Sequence, residues 1–254
     1  MKSMARFALT CGAFVLFVLR TPPCDAGIII HGTRVVYYAE QQEVIVRLEN
    51  KGSRPTLVQA WLDAGDRQST PAKSQAPFTL TPPIFRIEPE QQQALRLRYS
   101  GAPVPSDRES LFWLNVLEIP PSPTEATQKN QIQLSFRTRL RVFLRPQDLP
   151  YPIDNAVSKL QWKLVPHGTG HALQVTNPTP YHLSLAAVDL LSKGRRFKKA
   201  VNKDVNDSLL LPAGDIKWFA LPELQARPAG RARVEFTVVS DFGARVHHSV
   251  PLIL

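Results

Sequence analysis

The chain has 254 residues, 43% of them apolar, enough for about two domain cores and too apolar for a disordered chain. Twelve glycines exclude a collagen-like repeat, two cysteines exclude a disulfide framework or multi-cysteine zinc site, and 23 prolines, about 9% against an average near 5%, disfavour long helices. A formal charge of +10 suits an acidic partner, an anionic membrane or nucleic acid, but nucleic acid would also require a reading motif.

The chain opens with a basic n-region, Lys2 and Arg6, followed by the 13-residue apolar stretch Phe7 to Leu19. That stretch is too short to span a bilayer, which takes about 20 residues, and fits the core of a secretory signal. Ala26 is a suitable small residue at −1, so cleavage is expected after it, with an uncleaved N-terminal anchor as the alternative. Cleavage removes both Cys11 and Cys24, leaving a cysteine-free chain of 228 residues, Gly27 to Leu254, with a charge of +8. Such a chain suits an oxidising compartment and must draw its stability from its cores.

Beyond residue 27 the pattern has period two. Val44, Val46 and Leu48 alternate with Ile45, Arg47 and Glu49, and Leu95, Leu97 and Tyr99 with Ala94, Arg96 and Arg98. Ile132, Leu134, Phe136, Thr138, Leu140 and Val142 alternate with Gln133, Ser135, Arg137, Arg139 and Arg141. Each set faces one side of a strand. Turn residues stand between the runs, at Asn50-Lys51-Gly52, Thr81-Pro82-Pro83, Ser100-Gly101 and Pro120-Pro121. A seam falls at Leu144 to Pro150, after which strand-like runs resume, among them Leu183 to Val188 and Val234 to Val239. The expected fold is all-β: two antiparallel sandwiches, residues 27–147 and 148–254, behind a signal at 1–26.

Catalytic motifs are absent: there is no P-loop, no GxGxxG, no GxSxG elbow and, after cleavage, no cysteine nucleophile. His167 and His171 are four apart but enclose two glycines, which reads as a turn between strands. His247 and His248 face opposite sides of one strand, so no metal site is expected. The basic run Ser192 to Lys203 reads as a solvated hairpin tip. Arg137, Arg139 and Arg141 form a row of cations. They either guard an edge strand against aggregation or flank an edge that a partner strand pairs with; periodicity does not choose between the two.

Specific residues add a resemblance. Val104-Pro105-Ser106-Asp107-Arg108-Glu109-Ser110-Leu111-Phe112-Trp113-Leu114-Asn115-Val116-Leu117-Glu118-Ile119-Pro120 resembles the signature of the PapD-like periplasmic pilus chaperones of the chaperone–usher pathway. Gly32 to Tyr37, Thr81 to Pro89, Arg141 to Pro146, Asn177 to Tyr181 and Ser240 to Gly243 follow in the family's order. The resemblance implies two immunoglobulin-like sandwiches at an angle, with a cleft between them. It also implies donor-strand complementation, in which the chaperone lends an edge strand to a pilin subunit that lacks one. Ile132, Leu134 and Phe136 match the donated side chains; the competing reading of these three is the sandwich's own core.

Arg34, the eighth residue after cleavage, matches the family's arginine anchor for the subunit's C-terminal carboxylate. Arg141 stands where the family has lysine. Strict alternation puts Arg141 on the face opposite Ile132, Leu134 and Phe136, so reaching the cleft calls for a twist or a bulge. Glu109, Arg145 and Asp241 match the family's interdomain charge network. The short-to-intermediate connection from Pro121 to Ile132 resembles the short-loop branch. The resemblance implies pilin or fimbrial subunits and an outer-membrane usher as partners, a periplasmic location, and self-capping of the free edge by a second copy as an open question. It implies no enzymatic activity, cofactor, small-molecule substrate or nucleic acid. The alternative is a secreted structural β-sandwich, such as an adhesin or a pilus-associated module.

Overall fold

The computed structural model describes residues 27–121, 132–200, 209–228 and 230–252. The expected signal, the connection 122–131 and Lys203 lie outside these. Two immunoglobulin-like sandwiches stand at an angle with a cleft between them, as expected.

The first sandwich contains β1 (Ile28–Ile30), β2 (Arg34–Tyr38), β3 (Val44–Asn50), β4 (Thr56–Asp63), β5 (Phe78–Thr81), β6 (Ile84–Ile87), β7 (Gln92–Tyr99), β8 (Ser110–Ile119) and β9 (Phe136–Arg145). One sheet runs β1-β3-β7-β5 and the other β2-β9-β8-β4-β6. The expected first strand, Gly32 to Tyr37, is joined by β1, and the chain changes sheets between the two. Gly32 lies at that change with φ 114, a conformation only glycine adopts easily. The alternating residues meet as anticipated: Val46, Leu48, Leu95 and Leu97 from one sheet face Leu114, Val116, Leu140 and Val142 from the other. Tyr37 is fully buried among them, its hydroxyl donating to the carbonyls of Gln41 and Gln42.

β9 continues through Arg145, so the strand-free seam begins at Pro146. From Leu149 on the chain already packs against the second core, through Tyr151, Ile153 and Val157. The second sandwich contains β10 (Gln161–His167), β11 (Gly170–Thr176), β12 (Leu183–Ser192), β13 (Arg195–Lys198), β14 (Leu210–Leu211), β15 (Ile216–Leu221), β16 (Ala232–Val239) and β17 (Arg245–Leu252). Its sheets run β10-β11-β15 and β13-β12-β16-β17, with β14 added on β12. Leu173, Val175, Leu190, Phe219, Val234 and Phe236 fill the space between them. His167 and His171 stand either side of the β10–β11 turn, at Gly168.

The β11–β12 connection is a rigid bracket. Asn177 Nδ2 donates to the carbonyls of Tyr181 and Pro212, both at 2.8 Å, and its Oδ1 accepts from Thr179. The bracket presents Pro180 to the first sandwich, where its carbonyl accepts the Glu109 N–H at 2.9 Å.

Candidate functional site

Three features converge where β9 meets the cleft. The first is its N-terminal end. β2 pairs in parallel with Arg141 to Arg145 only, whereas β8 pairs back as far as Phe136. From Leu140 toward the N-terminus, β9 is therefore an open edge. Leu140, Val142 and Leu144 face the core. Continuing the same phase backward gives Phe136, Leu134 and Ile132, which run past the core. They are 62%, 62% and 90% exposed, so the competing core reading of these three does not hold. Residues 132–135 lie beyond the ladder, which ends where Glu118 pairs with Phe136, just before Pro120 and Pro121, which have no N–H to offer. Gln133 ties this stretch back through a 2.8 Å bond to the Pro120 carbonyl.

The second feature is the opposite face of β9, where the row of arginines is not a solvated stripe. The Arg137 guanidinium lies 4.7 Å from the Trp61 ring and donates to Asn115 Oδ1. Arg139 lies 4.8 Å from Trp113 and bonds Asp63 at 2.7 Å. Cation–π contact and a buried carboxylate hold both side chains down. Burial alone would raise the Asp63 pKa. Bonds from Asn115, the Gly65 N–H, Ser69 and Arg139 outweigh it and hold the carboxyl below its ordinary value. Sequence reasoning missed Trp61, Asp63, Trp113 and Asn115. Their signal was present: in β4 and β8 these residues occupy the outward phase, against Leu62 and Leu114 inward, and cross-strand register carries that phase to the arginines.

The third feature is the cleft wall. Arg34 and Arg141 lie side by side, paired in register across β2 and β9. Arg34 Nη1 donates to the Val239 carbonyl at 2.9 Å, and Arg141 Nη1 reaches Ser184 Oγ at 3.3 Å. Burial draws both guanidinium pKa values down. For Arg34 Asp241 opposes that fall, and for Arg141 the neighbouring Arg34 charge adds to it. Arginine remains charged despite such shifts, so the wall presents two adjacent cations to an anion. Of the twist or bulge anticipated for Arg141, no bulge is present. β9 keeps unbroken register with both neighbours, and its outward face itself looks onto the second sandwich.

Behind this wall Arg145 joins the sandwiches. Its Nε donates to Glu109 Oε1 at 2.6 Å, and its Nη atoms donate to Asp241 at 2.7 and 3.1 Å. Burial would lower the Arg145 pKa, but the two carboxylates raise it well above its usual value. The Tyr38 and Tyr181 rings flank the guanidinium, and Glu109 Oε2 accepts the His182 N–H at 2.8 Å. The cleft encloses about 890 Å³, lined by Arg34, Tyr38, Arg145, Tyr181, Val239 and Phe242 among others. Among the described residues no cluster of His, Cys, Asp or Glu could hold a metal ion. The basic run as far as Lys198 lies in the β12–β13 hairpin, where Arg196 pairs with Asp189 and Glu235.

Residues 27–150 match the family model of the pili and flagellar-assembly chaperone PapD N-terminal domain, and residues 155–250 that of the pili assembly chaperone PapD C-terminal domain. The chain belongs to the PapD family of pilus-assembly chaperones. The probable fimbrial chaperone YadV of Escherichia coli K12 is 40% identical over 247 residues, 96% of this chain and 95% of its own. A crystal structure of the YadV chaperone superposes with a TM-score of 0.74 at 37% identity, covering 89% of this chain and 100% of that one. The SafB chaperone of Salmonella enterica, solved in complex with the SafA pilin, superposes at 0.69 with 27% identity over 90% of this chain and 96% of that one.

Proposed function

We propose that this chaperone binds pilin subunits by lending them the open end of β9. The observation that carries the reading is the row Ile132, Leu134 and Phe136, which continues the core-facing phase of β9 into solvent. A subunit lacking one strand would pair with the backbone of this edge, and alternate side chains would fill its groove. Arg34 and Arg141 would grip the subunit's terminal carboxylate, for which the arginine fork is suited to bidentate bonding. Arg137 and Arg139, held on Trp61 and Trp113, keep the lending strand in place. Glu109, Arg145 and Asp241 set the angle between the sandwiches.

The apolar stretch Phe7 to Leu19 behind Lys2 and Arg6 supports export with cleavage after Ala26, and hence action in the periplasm. The sandwiches would then comprise 27–147 and 148–254. We infer that the chaperone keeps subunits from polymerising early and delivers them to an outer-membrane usher. The same open edge would be capped by a second copy when no subunit is bound. The test is Arg34→Ala with a pilin subunit co-expressed in the periplasm. The variant should fold as wild type yet fail to co-purify the subunit; a normal complex yield overturns the anchoring role.

A further inference from the structure

Glu118 is a charged residue in a core-facing phase. It follows Leu114 and Val116, both fully buried, at two-residue intervals near the end of β8, and it pairs in register with Phe136 at the last rung of the ladder. Its side chain therefore lies at the open end of the first sandwich. From there it reaches across to the other sheet, where Oε2 accepts the Ile28 N–H at 3.0 Å. A Cβ on Gly27 would stand 2.5 Å from the same oxygen, so the carboxylate occupies the space that a side chain there would take. The Gly27 carbonyl in turn accepts the Lys51 N–H at 3.2 Å, and β1 pairs with β3 from Ile28 on. Gly27 is thus held from both sheets, by the end of β3 and by Glu118.

The Gly27 nitrogen shares its Cα with that missing Cβ, so it lies within about 5 Å of Glu118 Oε2. As an amide this nitrogen is neutral. Cleavage after Ala26 changes it: hydrolysis adds one water to the Ala26–Gly27 bond, leaving a carboxylate on Ala26 and an amine on Gly27 that is protonated at neutral pH. The other charged groups beside β1 are already matched. Glu49, opposite Ile29, pairs with Lys51 at 2.8 Å and with His31 at 3.1 Å, and Lys51 also pairs with Glu90. Glu118 is the carboxylate that touches the residue carrying the new charge.

We infer that Glu118 is the receptor for the chain's own α-ammonium group, and that removal of the signal completes an ion pair which fastens β1 across the mouth of the sandwich, beside the start of β9. This role rests on the cleavage after Ala26 proposed above and gives a task to the group that cleavage creates. An amide nitrogen at Gly27 puts no charge at this place, and a start further upstream displaces it. The pair lies near the surface, so its attraction is that of an ordinary exposed ion pair, worth about threefold in an equilibrium.

The test uses the processed chaperone purified from the periplasm. N-terminal sequencing first fixes the start; a start other than Gly27 overturns the cleavage reading and the pair with it. The α-amine is then acylated with a succinimidyl ester from about pH 6 to about pH 10. Its labelling rate is read by mass spectrometry on the tryptic peptide Gly27 to Arg34, which contains no lysine. The ester reacts with the uncharged amine only. A pair with Glu118 should therefore slow labelling of wild type about threefold relative to Glu118→Gln near pH 7, with equal rates near pH 10, where both amines are uncharged. Glutamine keeps an oxygen to accept the Ile28 N–H, so β1 should stay in place. In wild type alone, about 0.5 M salt should raise the rate near pH 7 and leave the rate near pH 10 unchanged. Rates that match at every pH, with a wild-type rate indifferent to salt, overturn the ion pair and leave the cleavage standing. A difference that persists near pH 10 also overturns it, since that marks a change in access and not in charge.

Discussion

Replacing Ile132, Leu134 and Phe136 together with alanine tests the lent-strand reading most directly. In the free chaperone these side chains are 90%, 62% and 62% exposed, so they contribute little to its own stability. Full burial of a large apolar side chain stabilises by about 1.5–3 kcal/mol, so the surface still exposed on these three represents about 3–6 kcal/mol available on binding. Alanine retains its Cβ, which puts the expected loss near the lower end, about 3 kcal/mol or roughly a hundredfold in affinity. The backbone bonds of the lent strand are untouched, so binding should weaken without vanishing. The assay is competition for a periplasmically co-expressed pilin subunit between tagged wild-type and untagged variant chaperone, alongside urea unfolding of each chaperone alone. The reasoning is refuted if affinity stays within about threefold of wild type. It is equally refuted if the free variant unfolds some 3 kcal/mol more easily, since that would put the three side chains in the chaperone's own core.

Further consequences concern the charged groups. Glu109→Ala leaves the buried Arg145 with Asp241 alone and deprives the His182 N–H of its acceptor; breaking a buried pair costs about 3–5 kcal/mol, to be read from urea midpoints, and a loss under 1 kcal/mol would show the network to be loosely coupled. Asp63 is held below its ordinary pKa in the fold, so its stabilisation is fully present above the unfolded value of about 4 and is lost as pH falls through the lower folded value. Asp63→Asn should therefore flatten the acid limb of the stability profile, and an unchanged limb would contradict the assignment. Arg141→Lys keeps the charge beside Arg34 and should retain subunit binding in a pull-down; loss of binding would mean that the planar fork, and not charge alone, is required.

The sequence determined the alternation, and with it the sandwich class, turns between the strands and the phase of β3, β7 and β9. Leu140 and Val142 inward and Arg139 and Arg141 outward follow from the two-residue period of a strand, a local property that no distant contact alters. A local period cannot tell whether a side chain on the core phase has a core to meet. Ile132 and Leu140 are indistinguishable by pattern, yet one is almost wholly exposed and the other buried, because β8 and β2 cover different lengths of β9. The outward arginines illustrate the same limit. Whether they guard an edge, stack on tryptophans or face an anion depends on what lies across the sheet: Trp61 and Asp63 come from β4, some 76 positions earlier than the arginines they hold. The cleft lies furthest beyond local pattern. Arg34, Arg141 and Val239 are far apart in the chain, and only the docking of two separately folded cores, joined through Arg145, places them on one wall. The two cores are a property of composition and period; the site exists only in the angle between them, which long-range ion pairs and backbone bonds decide.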